Sequence, residues 1–257
     1  MKIRDYKRQA KVSLKDHWGS AVFATFVLVV ICIICAAPNT YYSLKDSASP
    51  TFTMDLARML FGLMTVTLLV EIFIIYPLEV GYANAFKKLH VEGDSELAEN
   101  TFKLGFRNYA HIVLGTLHMQ ILVALWTILL IIPGIVKGFS YAMTPFILVD
   151  RPELSTREAI HESRRMMKGR KWELFCLALS FLGWIILGIF TLFIGYLWLI
   201  PYMQTSFAAF YQNILEEEKA EMKATFSTAA PKPEPVKVKD FEPSNHEDYA
   251  PREDWTV

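Results

Sequence analysis

The sequence predicts an all-α fold. It reads as a polytopic membrane helix bundle of six transmembrane helices, with both termini cytoplasmic and short cytoplasmic helices at the interface. Two observations predict it. The first is charge spacing. The 257 residues carry 26 Lys+Arg and 26 Asp+Glu, a formal net charge of zero, but long stretches hold none of them. Residues 174–215 are uncharged over 42 positions, 108–136 over 29 and 17–44 over 28. A helix apolar all round has to be buried in a large core or in lipid, and about 20 apolar residues cross a bilayer core. Such runs exclude a soluble enzyme, a nucleic-acid-binding protein and a disordered chain. The second observation is the sidedness of Lys and Arg. With both ends inside, 23 of the 26 fall on inner segments and only Lys45, Arg58 and Lys137 lie outside. That is the asymmetry expected of cytoplasmic loops.

The elements follow in order. An N-terminal arm puts Ile3, Tyr6, Ala10 and Leu14 on one helical face leading into Trp18. The first span, 18–37, is 20 residues long, beyond the roughly 7–15 of a secretory h-region, so it reads as an uncleaved span. Its Cys32 and Cys35 have no His, Lys or Arg beside them and read as packing residues. The second span, 57–81, carries Glu71, Pro77 and Glu79. The third, 109–132, is expected to end where Pro133-Gly134 breaks the helix. The fourth, 135–150, is short for a crossing. The last two, 172–189 and 195–215, share the longest uncharged run, with a turn near 188–195.

Between the fourth and fifth spans, Ser155 and Glu158 have the spacing of a capping box, so a helix is expected to start there and stop at Gly169. Ala159, Ile160, Ser163 and Met167 share one face. With Arg157, Arg164, Arg165 and Lys168 on the rest, the helix is expected to lie in the inner interface with its cations at lipid phosphates. Residues 1–215 thus form a membrane domain. The tail, 216–257, holds 6 basic and 11 acidic residues and five prolines. It reads as mostly disordered after a helical turn or two, and as a candidate docking segment for a protein partner.

Ionisable groups at membrane depth are functional candidates. Glu71 and Glu79 on the second span interleave in depth with His111 and His118 on the third, which would form a ladder able to carry protons or seat a cation. Lys137, placed on the outer side, is a further partner for Glu71. A Y-x-x-T-x-F pattern at Tyr141–Thr144–Phe146 recurs at Tyr202–Thr205–Phe207, 61 residues on. The same offset superposes Gly134 on Gly195 and Arg107 on Lys168.

Residues 132–137 (Ile-Pro-Gly-Ile-Val-Lys), with Tyr141, Met143, Thr144, Pro145 and Asp150, resemble the domain-of-unknown-function family 975 of bacterial integral membrane proteins. So do Glu158-Ala159-Ile160, Met166 to Gly169, Leu174-Phe175, Phe181-x-Gly183-Trp184, Pro201-Tyr202 and Thr205 to Tyr211, with Leu14 to Trp18 as an opening segment. The likeness covers about 10–215 and is weakest at the second span. The family is similar in outline to the membrane domains fused to glycerophosphodiester phosphodiesterases, whose catalytic domain is not in this sequence. It implies a bacterial inner-membrane location and carries no established activity.

No phosphate-binding loop, zinc-binding helix or nucleophile elbow occurs, so no enzyme activity, cofactor or metal is expected. The sequence favours a non-catalytic envelope scaffold or accessory protein. The alternative is a small transporter using Glu71, Glu79, His111 and His118. Expected partners are the bilayer, with anionic lipids at its inner leaflet, and no nucleic acid.

Overall fold

The computed structural model describes residues 3–46, 54–191 and 193–229, with side chains over 3–33, 61–191 and 193–225. All regular structure among them is helical. The chain divides into two compact units, Met1–Glu216 and Glu217–Val257. Four segments are long and apolar enough to cross a membrane: Phe61–Glu92, Tyr109–Leu129, Ile131–Asp150 and Lys171–Phe190. A fifth is added if Ile3–Leu14 and Trp18–Ile33, bent by 97°, count together. The expected sixth span, 195–215, is not among these segments.

The element order repeats three times. Each unit has a short amphipathic helix, an ascending limb and a descending limb. The first unit is α1 (Ile3–Leu14), α2 (Trp18–Asp46), then α3 (Met54–Val70) joined to α4 (Tyr76–Glu92) through a π-helical turn, Glu71–Ile75. The second is α5 (Leu97–Phe106), α6 (Tyr109–Leu129), then α7 (Ile131–Tyr141) and α8 (Thr144–Asp150). The third is α9 (Thr156–Met166), then α10 (Lys171–Leu179) with α11 (Leu182–Phe190), and α12 (Tyr196–Ala229). The ascending limbs start at Trp18, Tyr109 and Trp172 or one residue before, aromatic residues that prefer a membrane–water interface. The two Y-x-x-T-x-F copies fall at matching places on descending limbs, and Tyr141, Thr144, Phe146 and Thr205 are buried.

Each amphipathic helix docks on a descending limb. α5 lies so close to α4 that a Cβ on Gly81 would stand 2.0 Å from the Thr101 carbonyl oxygen. A Cβ on Gly105 would stand 2.3 Å from that of Pro77. α9 folds back on the junction of α7 and α8. There the Ser163 hydroxyl donates to the Ser140 carbonyl (3.0 Å) and accepts from the Met143 amide (3.2 Å). α1 closes the ring on α12, with Tyr6 edge-on to Phe210 at 5.3 Å. The face of α1 predicted from its spacing is the face that is buried: Tyr6, Ala10 and Leu14. Exposed apolar side chains gather instead around the turns of the hairpins, from Leu125 to Ile132 and from Leu187 to Ile194 among the described residues. Burial concentrates at the other ends of the limbs, in Leu78–Leu89, Tyr141–Leu148 and Ala208–Ile214.

Four expectations are corrected. The break after the third limb comes at Leu130, whose backbone is extended (φ −158°, ψ 130°), and Pro133 sits in the first turn of α7. An amide missing from a first turn has no helical partner to lose, so proline starts this helix instead of ending the previous one. The capping box at Ser155 is present, but the helix ends at Met166, and Gly169, expected as the stop, is left-handed (φ +82°) in the turn that follows. However, the apolar face of α9 is not turned to lipid. Ala159, Ile160, Ser163 and Met167 are buried against protein, because the hydroxyl of Ser163 finds both of its partners at the α7–α8 break. The helix into the tail runs to Ala229, well past a turn or two, since Glu, Lys, Ala and Met over 216–224 are strong helix formers. The proline-rich tail from residue 230 lies outside the described residues.

Ser155→Ala removes the acceptor of the Glu158 amide and is expected to cost about 1 kcal/mol. A denaturant titration of the purified chain checks this, with Ser155→Asp expected to keep most of the stability.

Candidate functional site

The descending limbs converge, and their polar groups meet where they do. Lys87 of α4 donates to Asp150 at the end of α8. The Tyr211 hydroxyl of α12 donates to the other carboxylate oxygen of Asp150 at 2.9 Å. Tyr211 also stacks on Phe146 at 5.0 Å. One residue from each repeat thus forms a single charged cluster. Asp150 and Tyr211 are 61 residues apart, the offset of the sequence repeat, so they occupy equivalent positions. Beside them Asn84 donates to the carbonyl oxygens of Val80 and Pro145, at 2.8 and 2.9 Å. The second bond reaches across to another repeat. Tyr82 pairs with Thr25 of α2 at 2.6 Å. The Asn84 amide nitrogen and the Tyr82–Thr25 pair are thus satisfied, as buried polar groups generally are, while the Asn84 Oδ1 is buried without a partner.

Next to this cluster lies a cavity of about 680 Å³, lined by all three descending limbs and by α2, α6 and α10. Its wall is mostly apolar. Its polar members are Glu79, Thr116, Gln120, Gln204 and the ring of Tyr82. The Thr116 hydroxyl is buried and has no hydrogen-bond partner. Such a wall suits an apolar or amphipathic guest held by a few polar groups.

The structure brings only one of the four ladder residues to this cavity. Glu79 lines it. Glu71 opens the π-helical turn and is exposed. His111 and His118 are half-buried on α6 and do not line it. The His111 Nε2 is buried without a partner. No hydrogen bond or ion pair joins any two of these four side chains among the described residues.

Lys137 sits elsewhere than expected. Its ammonium stands 4.6 Å from the centre of the Trp126 ring. It lines one cleft with Ser140, His161, Arg164, Arg165, Lys168 and Lys171. It therefore shares a site with the cations that follow α8 in the chain and not with Glu71, because α9 folds back alongside α7. Three of the four expected headgroup contacts, Arg164, Arg165 and Lys168, line this cleft, and Arg157 does not. Arg165 is also held by Glu162, at 2.7 and 2.8 Å, and Arg151 joins the same carboxylate at 2.7 Å. These guanidinium groups hold the Glu162 carboxyl below its usual range.

The sequence reading missed Lys87 and Tyr211 as partners of Asp150, although the 61-residue offset pointed from one to the other. Among the described residues no group of three His, Cys, Asp or Glu side chains could hold a metal ion.

Residues 108–218 match a known family, described as Protein of unknown function (DUF975). No curated protein and no solved structure matches the chain. The matched stretch holds the hairpins of the second and third repeats, with α9 between them, and leaves the first repeat outside. The part of the chain that resembles the DUF975 family, residues 108–218, is the part that holds Asp150, Tyr211 and the basic cleft.

Proposed function

We propose that this protein is a non-catalytic, multi-pass scaffold or accessory protein of the bacterial inner membrane, with both termini on the cytoplasmic side. One observation carries the reading. The charged and amide groups at the convergence of the limbs, Lys87, Asp150, Tyr211 and Asn84, are spent on binding the three repeats to one another. Groups used in this way hold a shape on which another protein can assemble, and the acidic tail supplies a segment for such a partner.

A second reading is favoured by the cavity. Glu79, Thr116, Gln120 and Gln204 converge there, as a small transporter would require. Flux measurements separate the two. Purified full-length chain in proteoliposomes is expected to pass protons and potassium no faster than empty vesicles under an imposed gradient. Flux above that background, lost in Glu79→Gln while the protein still folds, would install the transporter.

A further inference from the structure

We propose that the cleft between α7, α9 and α10 binds the phosphate headgroup of an anionic phospholipid. Five cations line it, Lys137, Arg164, Arg165, Lys168 and Lys171, together with His161 and Ser140, around a volume of about 370 Å³. No carboxylate is in its wall. The cations come from three elements: Lys137 from an apolar limb, Arg164 and Arg165 from the last turn of α9 with Lys168 just beyond, and Lys171 from the start of α10. Tertiary folding therefore gathers them, not a run of sequence.

Gathering like charges is unfavourable unless something compensates them. Arg165 has Glu162. For Lys137, Arg164, Lys168 and Lys171, no ion pair is formed with any described residue. Lys137 faces the same cleft as Arg164 and Lys171. A phosphate group answers this arrangement. Guanidinium groups grip phosphate oxygens in pairs while ammonium groups act as point charges. Trp126 under Lys137 holds its ammonium in place through the ring face.

The surroundings select a lipid over a soluble phosphate. Ile132 and Val136, on the same limb as Lys137, are 76% and 46% exposed, and Trp172, next to Lys171, is 73% exposed. Acyl chains laid along this apolar surface would leave the headgroup at the cations. The site also explains why a lysine interrupts an otherwise apolar limb.

The test uses the full chain in a neutral detergent, titrated with dioleoylphosphatidic acid, dioleoylphosphatidylcholine and inorganic phosphate. Bound lipid is read by native mass spectrometry. Phosphatidic acid is expected to bind at least about ten-fold more tightly than phosphatidylcholine, as full neutralisation of several cations would give. Lys137→Met is expected to lower that affinity by about ten-fold. If Lys137→Met folds poorly, the double variant Arg164→Gln/Lys168→Gln, at exposed positions, carries the same expectation. Arg157→Gln, outside the cleft, is expected to stay within about two-fold. Equal binding of the two lipids, or cleft variants that bind like the wild type, would overturn the proposal. Displacement of phosphatidic acid by inorganic phosphate at comparable concentration would also overturn it, by making the cleft a site for free anions.

Discussion

Gly81→Leu is expected to leave little folded protein. The backbones of α4 and α5 touch at this point, where a Cβ would lie 2.0 Å from the Thr101 carbonyl oxygen and 2.7 Å from the Gly105 amide nitrogen. Neither atom belongs to a side chain that can swing away, so the helices must part. Overpacking in a core costs about 1–3 kcal/mol where side chains can adjust, and a clash between backbones is expected to exceed the top of that range. Separation would also pull Leu97 and Thr101, both buried, away from α4. The measurement is the thermal midpoint and the yield of monodisperse protein in detergent. Gly183→Ala is the control, because a Cβ there meets nothing within 4 Å and alanine favours helix by about 0.8–1.0 kcal/mol. A Gly81→Leu protein that melts with the wild type would show that α4 and α5 do not pack this way.

Asp150→Ala is the second large effect. Asp150 accepts from both Lys87 and Tyr211, and the pair with Lys87 is mostly shielded, with side-chain exposures of 13% and 26%. Hydrogen bonds to charged groups contribute about 1.5–3 kcal/mol each. With a discount for the remaining exposure, the loss should be about 3 kcal/mol. Asp150→Asn can still accept from Tyr211 but has no charge for Lys87, so it should lose about half as much. Lys87→Met should match Asp150→Asn or exceed it, because it leaves a carboxylate without its cation. Unfolding curves in mixed micelles check the order. If all three variants lay within about 0.5 kcal/mol of the wild type, as surface substitutions do, the cluster would not hold the repeats together.

Much of the architecture was legible because its signals are local. The capping box at Ser155 and Glu158, the left-handed turn at Gly169, the buried face of Tyr6, Ala10 and Leu14, and the turn before Gly195 each depend on residues a few positions apart. The failures share a different cause. Pro133 reads as a breaker in one dimension, yet it opens a helix because the residue that breaks is Leu130. The face of α9 is apolar enough for lipid, and only the folded chain shows that Ser140 and Met143 are waiting for Ser163. Lys137 counts as an outer charge when loops are tallied, and it joins the cations that follow α8 in the chain only because α9 doubles back. The ladder of Glu71, Glu79, His111 and His118 rests on depth and on the seven-residue spacing of the two histidines. Depth does not fix the direction in which a side chain points, and only Glu79 points to the cavity. The cluster of Lys87, Asp150 and Tyr211 spans three repeats. Within the sequence, the 61-residue offset was its one trace.

Each repeat folds its short amphipathic helix back on a descending limb, and this gathers the cations of the basic cleft at one end of the bundle. Lys137 tests it most directly, since the loop tally and the fold place it on opposite sides. Cys32, Cys35 and Cys176 are replaced by alanine, and single cysteines are introduced as Lys137→Cys and Lys168→Cys. Intact and inverted membrane vesicles are then treated with a membrane-impermeant maleimide. The fold predicts that both cysteines react in the same vesicle orientation and are protected in the other. Labelling of Lys137→Cys only in the orientation that protects Lys168→Cys would contradict it, and would return Lys137 to the far side of the membrane.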